Sequence, residues 1–304
     1  KMQPEWDEEL NISFYKTDSF ENGVTVLLIH GLGCSGRWFE FEENRPQVKF
    51  NWLVPDLFGY GLSKSNQMDS SSLTMKSQAE KLFELLRKHC SKEERVVIYA
   101  HSMGGPIAVH LIEQITQCEE KPCQLLGLAF AEGNVNADDC FGSGKMVAVP
   151  FEQYRNGFDE KLQKLKNECK DSSKQDVIKR AAGDPHLDPI QLERTGAFVM
   201  YASAVSLVEE SHAEKMIPRL KSICEQTNVV FIIGEENRGK LSSEDDLREA
   251  GLLQHEIKPG CSRLESSGDV LFVENTAHGM HYHNRDAFWP RLQQVVDLCV
   301  VGNK

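Results

Sequence analysis

Short apolar runs rich in β-branched residues recur along this chain, each followed by a stretch with helical spacing. That alternation narrows the fold more than any other feature. The runs are Val24–Ile29, Trp52–Val54, Val96–Tyr99, Leu125–Ala131, Val229–Ile233 and Val270–Val273. They are apolar on successive residues rather than alternate ones, as strands buried on both faces are. Most meet Gly, Asp, Glu or His near their C-terminal ends. Between them, Met75, Ala79, Leu82, Phe83 and Leu86 repeat at helical spacing, as do Ile107, Ala108, Leu111, Ile112 and Ile115. Phe288, Leu292, Val295, Val296 and Cys299 predict a last helix, with Asn284 or Asp286 as its cap. The alternation predicts an α/β fold with a doubly wound, mainly parallel sheet, whose chemistry collects at the carboxyl ends of the strands.

The rhythm breaks between Asp139 and Ser211. That stretch reads as helices over Phe158–Lys170, Gln175–Ala182 and Gln191–Glu209, punctuated by Gly183-Asp184-Pro185 and Asp188-Pro189. We therefore expect residues 1–138 and 212–304 to form the core and residues 139–211 a helical lid. A second irregular stretch, Asn237–Ser267, reads as a solvated loop and a short helix.

The segment Arg95-Val96-Val97-Ile98-Tyr99-Ala100-His101-Ser102-Met103-Gly104-Gly105 runs a strand into a serine and starts a helix after it. Ala100 and Gly104, two residues to either side of Ser102, lack bulk. A sharp strand-to-helix turn needs such neighbours to thrust a hydroxyl outward. Alone, a small-x-Ser-x-Gly pentad arises by chance on the order of 0.2 times in a chain of this length. Its context is another buried strand ending in His30-Gly31-Leu32-Gly33, and a third ending in Asp56-Leu57-Phe58-Gly59-Tyr60-Gly61-Leu62-Ser63. Gly31 and Gly33 let backbone approach the serine, so that the Leu32 and Met103 amides can hold an oxyanion. Asp56 reads as a carboxylate that fixes its turn.

With these residues in view, the chain resembles the α/β-hydrolase fold family. The resemblance rests on His30-Gly31-Leu32-Gly33, Asp56-x-x-Gly59-x-Gly61-x-Ser63, Ala100-His101-Ser102-Met103-Gly104-Gly105 and a late histidine. It runs from about Val24 to the C-terminus, with residues 139–211 poorly matched. It implies a serine nucleophile; relatives that use an aspartate there, dehalogenases and most epoxide hydrolases, are disfavoured.

A histidine suits the general base, because its ordinary pKa near 6.5 lets it take and return a proton. The family pattern points to His278, just after the last strand in Val270–Val273, with His281 in reserve. His278, His281 and His283 are spaced to ligate zinc, but no cysteine or carboxylate completes a set nearby, so no metal and no cofactor are expected. His101 is expected to pack in the serine turn and His30 to stabilise the oxyanion loop. The acid has two candidate places. After the strand Val229–Ile233, where many relatives carry Asp, this chain has Asn237, with Glu235 and Glu236 out of register. After Leu125–Ala131, Glu132 ends an apolar strand, where an unpaired carboxylate is costly. Glu132 is the preferred acid, with Glu235, Glu236, Asp138 and Asp139 as alternatives.

The aromatic residues Trp38, Phe58, Phe151 and Tyr154 are expected to line the substrate site, with Phe39, Phe198, Met200 and Tyr201 as further candidates. The expected activity is hydrolysis of an ester or related acyl bond in a small, largely apolar substrate. The rival is a ligand receptor on the same scaffold with slow or no turnover; an acyltransferase differs only in its acceptor. The net charge of −12 argues against a nucleic-acid partner. No apolar run reaches the roughly 18 residues of a membrane helix. Nine scattered cysteines, none in a C-x-x-C pair, fit free thiols in a reducing, cytoplasmic setting. The acidic opening residues show no signal-peptide pattern.

Overall fold

The computed structural model describes residues 3–17, 23–39, 48–64, 68–170 and 188–302. Eight strands form one sheet: β1 (Glu5–Asp7), β2 (Ile12–Lys16), β3 (Val24–Ile29), β4 (Asn51–Pro55), β5 (Arg95–His101), β6 (Gln124–Ala131), β7 (Asn228–Gly234) and β8 (Asp269–Val273). Their order is β1-β2-β4-β3-β5-β6-β7-β8. The β1–β2 and β2–β4 pairs are antiparallel and every other pair is parallel. The six apolar runs are the six parallel strands. Strands β1 and β2 lay outside the sequence reading, because an edge hairpin needs no continuous apolar run. Only Ile12, Ser13 and Phe14 of β2 are buried.

Helices cover both faces. On one lie α1 (Met75–His89) and α2 (Gly104–Gln117), whose stripes of Met75, Ala79, Leu82, Ile107, Leu111 and Ile112 join the larger core cluster. Helix α1 starts at Thr74, whose hydroxyl accepts the Ser77 amide at 3.1 Å. On the other face the last helix, Arg285–Gly302, seats Phe288, Trp289, Leu292 and Val296 against β6, β7 and β8, and Trp289 stacks on Trp52 at 5.2 Å. The Asn284 side chain caps it by accepting the Ala287 amide at 3.2 Å.

Between β6 and β7 the chain forms α3 (Phe141–Val147), α4 (Phe151–Glu168), α5 (Pro189–Glu210) and α6 (Ala213–Gln226). Helix α4 begins seven residues before the expected Phe158, because Pro150 leads directly into it. Asp188 caps α5 by accepting the Ile190 amide at 2.9 Å, and Pro189 supplies the first helical residue. Gly196, at φ 78° and ψ 158°, breaks α5 into two segments. The expected helix over Gln175–Ala182 and the Gly183-Asp184-Pro185 turn lie outside the described residues. A short helix α7 (Glu244–Glu249), then α8 (Met280–His283) and α9, the last helix, complete the chain. Among the described residues no helix is long and apolar enough to cross a membrane, and all nine cysteines are free thiols.

Candidate active site

Ser102 occupies the hinge between β5 and α2 at φ 55°, a left-handed backbone that side chains other than glycine rarely adopt. Two bonds hold the turn. The Ser102 amide donates to Ala131 O at 3.0 Å, tying it to the end of β6, and Gly105 N donates to Ser102 O at 2.8 Å. The close neighbours explain the small residues. A Cβ on Gly104 would stand 2.8 Å from Ile29 O, and one on Gly31 would stand 3.0 Å from Ser102 Cβ. Gly31 thus brings the loop after β3 against the serine, with Leu32 next in line.

That loop is fixed from the sheet side. His30 Nε2 accepts the Leu57 amide at 3.0 Å, so Nδ1 carries the proton and donates to Gly31 O at 2.8 Å. Both ring nitrogens are satisfied in the neutral form, and burial brings the His30 pKa down to about 4. Asp56 accepts the Gly36 amide and the Leu62 amide, each at 2.7 Å, and burial raises its carboxyl to about 6.

Glu132 sits one residue past β6 at φ 43°. Its side chain is sealed from solvent and meets donors on every side. Oε1 accepts Gly234 N at 2.8 Å and Asn237 Nδ2 at 3.1 Å. Oε2 accepts Asn237 Nδ2 at 2.9 Å and His278 Nδ1 at 2.8 Å. Because a carboxylate accepts, His278 Nδ1 is the donor of this bond. The His278 side chain is 51% exposed, against a nearly buried partner. Glu235 and Glu236 are exposed, with Glu235 bonded to the Asn275 amide. Asp138 is exposed, and Asp139 is engaged by the Val135 amide and Ser242. Among the described residues, Glu132 is the one of these acids placed on His278.

His101 connects the serine turn to His278. Its Nε2 donates to the His278 carbonyl at 2.7 Å, and the two rings lie 4.7 Å apart. Its Nδ1 is buried without a partner, and burial with the neighbouring His278 and His281 drives its pKa well below the ordinary value. His281 is buried, stacked on Phe39 at 4.7 Å, with its pKa lowered in the same way. It therefore does not replace His278 at the cavity. His278, His281 and His283 form no metal-holding group among the described residues.

Ser102, His278, Gly31, Leu32 and His101 line one cavity of about 440 Å³ at the carboxyl end of the sheet. Its apolar wall is Leu32, Cys34, Phe141, Met146, Leu207 and Tyr282. The four expected lining aromatics lie elsewhere. Trp38 is buried behind the wall, edge-on to Tyr282 at 5.5 Å. Phe58 is buried in the core with Lys81 over its ring at 4.3 Å. Phe151 and Tyr154, one helical turn apart on α4, pack instead on Tyr201 of α5 at 5.3 and 5.5 Å. Helix-to-helix packing consumes Phe151 and Tyr154, and Phe141 and Met146 of α3 and Leu207 of α5 face the cavity instead. Asn237 is the group the sequence undervalued: it stands at the position expected for an acid and supplies the acid's hydrogen bonds.

Comparison with known proteins places the fold. The α/β hydrolase family model matches residues 26–291, and the chain belongs to this family. The magnesium-chelatase 30 kDa subunit of Rhodobacter capsulatus is 38% identical over 90 residues, covering 30% of each protein, so the chain matches under a third of that relative's length. An N-acyl homoserine lactonase structure superposes with a TM-score of 0.63 at 15% identity over 97% of this chain and 96% of the lactonase. An esterase from Exiguobacterium antarcticum gives 0.55 at 15% identity over 94% and 96%. The protein is thus an α/β hydrolase by fold and family.

Proposed function

We propose that this chain is a serine hydrolase that cleaves an ester or related acyl bond through an acyl-enzyme. The observation that carries the reading is that Ser102 and His278 line one cavity while the buried Glu132 holds the His278 ring at Nδ1. Ser102 Oγ attacks the acyl carbonyl carbon as His278 Nε2 takes its proton. Glu132 holds the ring by Nδ1 and offsets the charge of the imidazolium. The amides of Leu32 and Met103, the latter at the positive end of α2, stabilise the oxyanion. Collapse breaks the bond to the leaving group, which receives the proton from Nε2. Water, deprotonated by Nε2, then releases the acid and the proton returns to Ser102 Oγ.

The apolar wall supports a small, largely apolar acyl group. The esterase and lactonase neighbours are consistent with ester or lactone cleavage. The net charge of −12 and the nine thiols support a small-molecule substrate and a reducing, cytoplasmic setting. Residues 139–211 carry Phe141, Met146 and Leu207 onto the cavity and so suit the part of a lid. The test is fluorophosphonate labelling together with turnover of p-nitrophenyl acetate to octanoate. Labelling mapped to Ser102, with turnover lost in Ser102→Ala, is the expected result. A wild-type protein that neither labels nor turns over would be a binder on this scaffold.

A further inference from the structure

The loop from His30 to Phe39 is gripped from two sides. From the sheet side it is held by the His30 ring and by Asp56 on Gly36. From the other side it is held by α5 of the helical segment. Gln191, fully buried in the first turn of α5, donates from Nε2 to Cys34 O at 3.0 Å and accepts the Ser35 hydroxyl on Oε1 at 3.0 Å. Its Nε2 also donates to Thr195 Oγ1 at 3.3 Å, one turn along the helix. Arg37 reaches Asp188, the α5 cap, at 3.4 Å. The bonded residues Cys34 and Ser35 lie two and three positions after Leu32, and Cys34 N closes a turn on Gly31 O at 3.2 Å.

We propose that Gln191 is a positioning residue for the oxyanion hole: its amide sets the place of the Leu32 N–H by fixing Cys34 and Ser35, and so couples the helical segment to catalysis. This deepens the hydrolase reading and rests on it. The physical basis is that an oxyanion donor works only when preorganised at the oxygen's future position, and that loop backbone drifts when its buried polar anchors are removed. A side-chain amide is the fitting anchor, because it donates to one loop group and accepts from another at once. Glutamate keeps the acceptor for Ser35 and loses the donor for Cys34. Methionine keeps the length and loses both.

The experiment compares wild type, Gln191→Glu and Gln191→Met on an oxygen ester and on the matching thionoester, whose sulfur is a poor hydrogen-bond acceptor. With Gln191→Met, kcat on the oxygen ester should fall about 10- to 100-fold with KM within about twofold, and the thionoester should lose less than about threefold. Gln191→Glu should fall between. Peptide 31–39 should exchange amide hydrogen faster in both variants. Where Gln191→Met does not fold, Ser35→Ala removes one of the same bonds with less disturbance and should show the same preference for damaging the oxygen ester. Equal losses on both esters, or unchanged kcat and exchange in an active wild-type background, would overturn the proposal and leave the hydrolase reading standing. An inactive, unlabelled wild type would instead remove the hydrolase reading.

Discussion

The sheet carries a cavity at each end, and the larger is the chemically plainer one. At the amino ends of the strands, a cavity of about 510 Å³ is lined by Lys92, Glu119, Glu120, Lys121 and the start of β6. At the carboxyl ends, the cavity of about 440 Å³ holds Ser102 and His278. Of the four non-glycine residues at positive φ among the described residues, Ser102 lines the smaller one and Glu132 holds its His278, and none lines the larger. The smaller also has His101 Nδ1 buried without a partner and a carboxylate ringed by donors. Backbone strain and desolvated polar groups cost stability, and the surrounding structure must over-determine them to persist. Strain and buried polar groups, not volume, set the carboxyl end apart.

Disabling residues at the carboxyl end should separate the two cavities sharply. Ser102→Ala should reduce ester turnover by about 10⁴-fold or more, measured as kcat/KM, with an unchanged melting curve. Retention of wild-type rate in that variant would move the chemistry elsewhere. Glu132→Gln keeps shape but offers an amide where His278 needs an acceptor, and should cost about 10³- to 10⁴-fold. Asn237→Asp should act more subtly. It puts a second carboxylate where Nδ2 now stands, 2.9 Å from Glu132 Oε2. Two carboxyls that close cannot both ionise freely, so the pair retains a proton to higher pH. The acidic limb of the pH–rate profile should therefore shift upward by about one unit or more. An unshifted limb would mean that Asn237 does not govern the charge on Glu132.

What could be read in advance follows the range of the interactions. The parallel strands announce themselves because burial on both faces makes them continuous in sequence, and the serine turn because it needs Ala100, Gly104 and Gly31 close by. Glu132 was legible because an apolar strand ending in a carboxylate demands a partner. The wall of the cavity was not. Nothing local tells Phe151 and Tyr154 to face Tyr201 rather than a substrate, since helical spacing gives a face but not what lies opposite. Gln191 reaches Cys34 across 157 positions, a contact with no local trace. Asn237 was visible only as a missing acid. Its role as donor emerges once β6 and β7 are adjacent and Gly234 is seen beside it.

Acid should test the same end of the sheet through stability. The pKa of His30 falls to about 4, and those of His101 and His281 fall well below the ordinary value, all chiefly by burial. The unfolded chain binds their protons below pH ~6.5 while the native state resists them. Their contribution is therefore complete above that pH and is lost as pH falls toward 4. Asp56 runs the other way. Its native carboxyl keeps a proton up to about 6, against 3.8 unfolded, so its contribution is lost as pH rises through that window. Three groups against one leave a net loss on acidification of up to about 3 kcal/mol per pH unit. Urea midpoints at pH 7 and 5 measure it, and His281→Phe, which keeps the stack on Phe39, should flatten the slope by about half.

The smallest effect belongs to the larger cavity. Lys92 pairs with Glu120 at 3.4 Å, but the side chains are 64% and 83% exposed. Water screens such a pair, and holding two long side chains in one geometry offsets most of its attraction. Lys92→Ala should shift Tm by less than about 2 °C and leave kcat/KM within about twofold of wild type. The measurement matters because the site lies past the full length of β6 from Glu132, with the packed core between. A loss of rate there comparable to that of Glu132→Gln would mean that the two ends communicate through the sheet, and the contrast drawn from strain and burial would fail.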